Sequence, residues 1–267
     1  MKDLLRAIAR ATQFCWHIAR GIKQSSSLRR QYKENWYETD QGKQAIQVWM
    51  KMLCRILGLQ VNASYRSANT PVMLVANHVS WLDIIAIGSL IPTRFVAKNE
   101  VRQWPVIGNL ARRGGTLFIK RNNRKSACET NLQIANVLTE NQRIMIFPEG
   151  TTTEGLSTLA FKPALFEACR IAKCDIQPVA IRYWRNNTLD PIAPYIQDDS
   201  FITHLWRIMR APETQIDLHF CMPIQSNVPR QELASFSRMI INAELTNNYS
   251  LRESNNPSTI IGLEHAT

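Results

Sequence analysis

Val72-Met73-Leu74-Val75-Ala76-Asn77-His78-Val79-Ser80-Trp81-Leu82-Asp83 packs a change of backbone period into one short stretch. The first five residues form an apolar run too short for a helix and predict a buried strand. Asn77-His78-Val79 breaks the run, and Ser80 to Ser89 then predicts a helix. A strand feeding a helix through a polar turn is the repeating unit of an α/β fold. Working outward, Arg94–Ala97, Thr116–Ile119, Arg143–Phe147 and Ile176–Tyr183 predict further strands, and residues 124–140 and 161–172 predict helices. Strands alternating with helices in this way predict an α/β fold with a largely parallel central sheet flanked by helices. The segment 185–225 carries no clear period, although Gln215–Phe220 is a candidate sixth strand. A helix is predicted over 229–246, and the polar residues after Asn247 predict a frayed end.

Before the first strand the pattern is helical. Leu4, Ile8, Ala11, Cys15, Ile18 and Ile22 recur at helical spacing over residues 1–24, with Arg6, Arg10, Gln13, His17 and Arg20 as a second, polar stripe. Phe14 and Trp16 add aromatic bulk. An apolar face, a basic face and aromatics suit a helix lying among lipid headgroups; the same pattern also suits a surface helix packed on its own domain. Ser25-Ser26-Ser27 and the charged stretch to Asp40 read as a loop or a polar helix end. A second amphipathic helix is predicted over 42–57, with Ile46, Trp49, Met50, Leu53, Ile56 and Leu57 on one face. The two make an N-terminal amphipathic helical hairpin that would rest on a bilayer. The expected organisation is therefore membrane-associating helices over 1–60, a catalytic-type α/β domain over 61–225, and a C-terminal helix with a polar tail over 226–267.

The chain has 267 residues, 45% of them apolar, which suffices for one sizeable core. Its 32 basic and 21 acidic residues leave a formal charge of +11, which attracts polyanions. The basic residues are spread along the chain and form no recognised nucleic-acid motif, so an anionic membrane surface is the expected partner. The six cysteines (Cys15, Cys54, Cys128, Cys169, Cys174 and Cys221) lack CxxC spacing and predict reduced thiols in the core, with no metal site. No secretory signal and no uncharged apolar run long enough to span a bilayer is visible. The expected location is the cytoplasmic face of an inner membrane, peripheral or monotopic.

The loops at the C-terminal ends of parallel strands are where α/β folds place chemistry. His78 stands at such an end, and Asp83 five residues on falls in the first helical turn. A carboxylate on one ring nitrogen fixes the tautomer and raises basicity at the other, which can then take a proton from an alcohol. Ser80-Trp81-Leu82-Asp83 is also a capping box with Ser80 as N-cap, which would explain Ser80 and Asp83 without catalysis but leaves His78 unexplained. Phe147-Pro148-Glu149-Gly150-Thr151 follows another strand and so ends on the same sheet edge. Pro148 stiffens the turn, Gly150 allows close backbone approach, and Glu149 sets a carboxylate beside it. The bland reading is a strand-to-loop turn with a surface glutamate.

These two motifs, in this order and about 70 residues apart, resemble those of the lysophospholipid acyltransferase family, bacterial 1-acylglycerol-3-phosphate acyltransferase type. Lys98-Asn99-Glu100 with Pro105 and Gly108, then Gly115-Thr116-Leu117-Phe118-Ile119-Lys120-Arg121, and finally Ile176-Gln177-Pro178-Val179-Ala180 extend the resemblance from about residue 70 to 183. It implies a one-step O-acyl transfer. His78 would be general base on the hydroxyl of a lysolipid acceptor, and Asp83 would orient it. The donor would be the thioester of an acyl carrier protein or of coenzyme A, with no other cofactor. Backbone amides near Gly150 and Thr151 are candidate oxyanion donors. Glu149 and Arg121 would help bind the acceptor, with Lys98 a further anion contact. Two positions depart from the pattern. Thr152 stands where many members have Arg, and Lys120 where an acidic residue is frequent. The Phe-Pro-Glu-Gly-Thr-Thr form is similar to the subgroup acting on lyso-ornithine lipid. Two expectations therefore stand beside phosphatidic acid synthesis: lyso-ornithine lipid acylation, and a non-catalytic basic module that binds membrane or nucleic acid.

Overall fold

The computed structural model describes residues 1–65, 67–69, 71–119, 124–196 and 199–254. Two helices come first, α1 (Lys2–Tyr32) and α2 (Asp40–Leu57), joined through a short 3-10 turn at Trp36–Glu38. The sheet strands are β1 (Leu59–Ser64), β2 (Val72–Ala76), β3 (Arg94–Lys98), β4 (Leu117–Ile119), β5 (Arg143–Ile146), β6 (Asp175–Arg185), β7 (Thr188–Leu189) and β8 (Thr214–Phe220). Between and after them lie α3 (Leu82–Leu90), α4 (Ile107–Arg113), α5 (Arg124–Thr139), α6 (Glu167–Ala172), α7 (Phe201–Arg210) and α8 (Arg230–Ser254).

The sheet runs β1-β8-β6-β2-β5-β3-β4, with β7 beside β6. From β6 to β4 all neighbours are parallel; β8 is antiparallel to β6, and β1 is parallel to β8. The predicted α/β fold, with a mostly parallel sheet between helices, is the one observed. β2 shows why its run is apolar throughout. Val72, Leu74 and Ala76 face one core with Leu53, Leu57, Leu82 and Ile87, while Met73 and Val75 face the other with Ile134, Leu138 and Phe166. A parallel strand is covered on both faces, so alternation disappears. Each fully buried Leu or Met there contributes roughly 1.5–3 kcal/mol.

Three expectations change. Ser25-Ser26-Ser27 lies inside α1. The Ser25 and Ser26 hydroxyls donate to the Ile22 carbonyl, and Arg113 on α4 donates to both hydroxyls and to the same carbonyl, so their polarity is used up in packing. The helix predicted to fray after Asn247 continues to Ser254. Cys15 and Cys128 are exposed, whereas Cys54, Cys169, Cys174 and Cys221 are buried. The unassigned segment contributes β7 and α7, and β1 and α4 were also unannounced by periodicity.

Part of the polar stripe of α1 faces the protein: Arg6, Arg10 and His17 do, while Gln13 and Arg20 are exposed. Arg10 donates to the Ile208, Met209 and Ala211 carbonyls at the end of α7, and Arg6 donates to the Arg210 carbonyl. A cation on the last carbonyls of a helix satisfies orphan acceptors and complements its dipole. His17 stacks on Trp49 of α2 at 4.9 Å and donates to its carbonyl, while the Trp49 indole donates to the His17 carbonyl. Gly21 leaves the space Trp49 occupies, since a Cβ there would lie 2.4 Å from its indole nitrogen. Leu4, Leu5, Ile8 and Trp16 are left exposed. Among the described residues no helix is long and apolar enough to cross a membrane.

Candidate active site

β2 stops pairing at Ala76, but Asn77 continues the ladder with its side chain. Its Nδ2 donates to the Ile181 carbonyl (3.0 Å) and its Oδ1 accepts the Ile181 N–H (2.8 Å), both on β6. The backbone is thereby released to turn at His78. The His78 N–H donates to Glu149 Oε1 at 2.8 Å, its carbonyl accepts the Thr153 N–H at 2.8 Å, and its ring stacks on Phe147 at 4.0 Å and 18°. The end of β2 is thus held by the loop that follows its neighbour β5.

Asp83 is fully buried in the first turn of α3. Its Oδ2 lies 2.7 Å from His78 Nδ1 and also accepts the Val79 (2.9 Å) and Ser80 (3.1 Å) N–H groups. Its Oδ1 accepts the Tyr183 hydroxyl at 2.5 Å. A carboxylate on Nδ1 puts the ring proton there and leaves Nε2 as the basic nitrogen. That nitrogen has no partner among the described residues, and the His78 side chain is 20% exposed. Only half of the expected capping box forms. Asp83 reaches back to the Ser80 N–H, but Trp81 precedes the helix as its N-cap and the Ser80 hydroxyl is buried without a partner.

Glu149 is 2% exposed. Both oxygens are engaged by backbone, Oε1 by His78 and Oε2 by the Leu159 N–H at 2.8 Å. Burial pushes its carboxyl above the usual range, and those two amides pull it back. The surface-glutamate reading fails, and an oxygen facing an acceptor lipid is not what this geometry offers. Gly150, at φ 76°, gives its N–H to the Phe147 carbonyl within the turn. Of the two candidate oxyanion donors, the Thr151 N–H is the one without a partner among the described residues. Thr152 turns its hydroxyl to the Tyr195 carbonyl, and Tyr195 N–H donates to the Val79 carbonyl, binding the segment before α7 to both motifs. Lys98 ends β3, two strands from β2 on the same sheet edge, and is exposed. Lys120 and Arg121 lie outside the described residues. Among the described residues no three His, Cys, Asp or Glu side chains converge as they would around a metal.

Phe147, the first residue of the second motif, is the ring stacked on His78. Two further contributors were not legible in the sequence. Tyr183 stands 100 residues from Asp83. His204 on α7, fully buried, accepts the Trp81 indole N–H at its Nδ1 (2.9 Å) and donates from Nε2 to the Ile192 carbonyl (3.1 Å). The buried rings of Tyr183 and His204 carried no signal beyond their residue type.

A family model described as Acyltransferase matches residues 59–182 of the chain. A lyso-ornithine lipid O-acyltransferase of Pseudomonas aeruginosa is 39% identical over 198 residues, covering 74% of this chain and 76% of that protein. A 1-acyl-sn-glycerol-3-phosphate acyltransferase of Neisseria gonorrhoeae is 36% identical over 164 residues, 61% of this chain and 64% of that protein. The crystal structure of the 1-acyl-sn-glycerophosphate acyltransferase of Thermotoga maritima shares the fold, with a TM-score of 0.66 over 92% of this chain and 95% of that one, at 18% identity.

Proposed function

Because this chain belongs to the acyltransferase family, we propose that it esterifies the free hydroxyl of a lysolipid with a fatty acyl group drawn from acyl carrier protein or coenzyme A. The observation that carries this reading is the His78–Asp83 pair, with Nε2 of His78 left open at the sheet edge. His78 Nε2 takes the hydroxyl proton as the acceptor oxygen attacks the thioester carbonyl. The tetrahedral oxyanion is met by the Thr151 N–H. Collapse expels the thiolate, which recovers the proton from His78, so that ester and free thiol leave together. Asp83 holds the ring and stabilises the imidazolium formed on the way. Glu149 acts through backbone, fixing His78 and the following loop; Lys98, and Lys120 and Arg121 beyond β4, supply cations for an anionic headgroup.

The first acceptor is 1-acylglycerol-3-phosphate, giving phosphatidic acid, as the names of the Neisseria relative and of the Thermotoga protein suggest. Lyso-ornithine lipid is the second reading. The Pseudomonas relative and Thr152 favour it, since a side chain turned to the Tyr195 carbonyl offers no cation to a phosphate. The site is read as lying at an anionic membrane surface on the cytoplasmic side, reached through the exposed apolar residues of α1.

Purified protein supplied with labelled acyl carrier protein or acyl-coenzyme A, and with either lysolipid, tests the reading. One acceptor is expected to be acylated, and His78→Ala to lower turnover by at least about a hundredfold, the usual effect of a positioned general base. Turnover surviving in that variant sinks the mechanism. Absence of transfer to any lysolipid supports a non-catalytic binding module instead.

A further inference from the structure

Asp83 divides its hydrogen bonds unequally. Oδ2 takes His78 Nδ1 and two backbone amides, while the Tyr183 hydroxyl is the one partner of Oδ1 among the described residues. Rotation of a carboxylate about its last bond meets a broad, shallow torsional well, so its partners decide its plane. We propose that Tyr183 is a positioning residue for acyl transfer, its hydroxyl pinning Oδ1 of Asp83 so that Oδ2 stays on His78 Nδ1. This rests on the reading of His78 as general base.

The backbone placement supports that role. β6 pairs with β2 only from Asp175 to Val179 and then runs on past the end of β2, where it is laddered to β8 with Tyr183 opposite Ile216. A side chain from this overhang reaches under α3 to Asp83. The ring is 3% exposed and packed in the core shared by α2, α3 and α7. An aromatic ring on a laddered strand has little freedom, so the hydroxyl is a fixed post. Burial and the neighbouring Asp83 charge push the phenol well above its ordinary range, so it remains a donor throughout any assay range. A hydrogen bond from a neutral hydroxyl to a carboxylate is charge-assisted and draws charge from it. In the reaction, Asp83 must attract the imidazolium enough to favour proton uptake at Nε2 without keeping the ring charged. Losing the Tyr183 bond leaves Asp83 a stronger and looser acceptor, which holds the charged ring longer and in poorer register.

Tyr183→Phe removes one oxygen and keeps the ring. Relative to wild type, kcat is expected to fall about tenfold (~1.4 kcal/mol) with KM within about twofold, and the acid limb of the pH–rate profile to move to higher pH. In an Asp83→Asn background the same change is expected to cost no further rate, because the group it acts through is gone. An unmoved acid limb with wild-type kcat overturns the inference. So does an equal loss in the Asp83→Asn background, which would mean that the ring serves packing alone. If Tyr183→Phe fails to fold, a ring-fluorinated tyrosine at 183, a stronger donor of the same shape, is expected to move the acid limb to lower pH, and an unmoved limb overturns the proposal. His78→Ala runs alongside. Surviving turnover there overturns both readings, whereas an inactive His78→Ala beside a wild-type-like Tyr183→Phe overturns only this one.

Discussion

The Glu149 carboxylate meets His78 at its backbone N–H and not at its ring, and this sets what substitution at 149 does. With both oxygens occupied by the His78 and Leu159 amides, Glu149→Ala strands a buried donor at the catalytic turn. An unsatisfied buried N–H costs about 1–3 kcal/mol, so the urea midpoint is expected to fall accordingly, with kcat falling as His78 loses its seat. Glu149→Gln, which keeps one acceptor oxygen, should fall between the two in both measurements. If Glu149 instead contacts the acceptor, KM rises in the Gln variant while the urea midpoint stays where it was. Thr151 and Gly150 differ for a comparable reason. The Gly150 amide is spent on closing the turn, and the Thr151 amide has no partner among the described residues, a distinction set by hydrogen bonding that residue type does not carry.

At the level of elements, α7 is one of the pieces that periodicity left unassigned, and it packs on Trp81, the residue just before α3. Phe201 and His204 pack on Trp81, with Phe201 also against Trp104 and Tyr195 against His204. His204 works as a neutral ring, accepting from Trp81 and donating to Ile192. Burial, with Arg207 one turn on, lowers its pKa, while Asp199 and the Ile192 and Pro194 carbonyls oppose the shift. A depressed folded-state pKa means the contribution is intact above histidine's ordinary value of about 6.5 and is lost as pH falls through the depressed one. His204→Gln can keep both hydrogen bonds without titrating. The stability advantage of wild type over this variant, read from urea midpoints, is therefore expected to shrink as pH falls through that window. Parallel pH curves would instead show that His204 takes up its proton equally in the folded and unfolded states, so that folding does not depress its pKa. Phe201, Leu205, Ile208 and Met209 recur at helical spacing along α7, and His204 fills the remaining position of that face, buried by Trp81 and by the segment from Ile192 to Tyr195.

Across the whole molecule, the excess of positive charge and the orientation of α1 bear on where the enzyme works. Arg6 and Arg10, expected to face headgroups, hold α7, while Arg20 and part of the apolar stripe, with Leu5 and Trp16, face outward. An exposed apolar helix face beside a chain of charge +11 suits an anionic bilayer. Leu5→Asp and Ile8→Asp leave the α7 contacts intact. Each is expected to weaken binding to vesicles containing anionic lipid by roughly tenfold or more, since a buried aliphatic side chain contributes ~1.5–3 kcal/mol. Unchanged co-sedimentation would remove α1 from the interface. By itself the sequence determined the α/β class, the strands β2 to β6, the shared sheet edge and the two motifs, because strand length, helical spacing and turn chemistry are local. Tertiary structure decided which way α1 turns its stripes, what Glu149 holds, and that Tyr183 completes the His78–Asp83 pair. Periodicity records that a face is apolar or polar but not what it meets. A hydrogen bond across 100 residues exists only once β6 is laddered in register against β2 and β8.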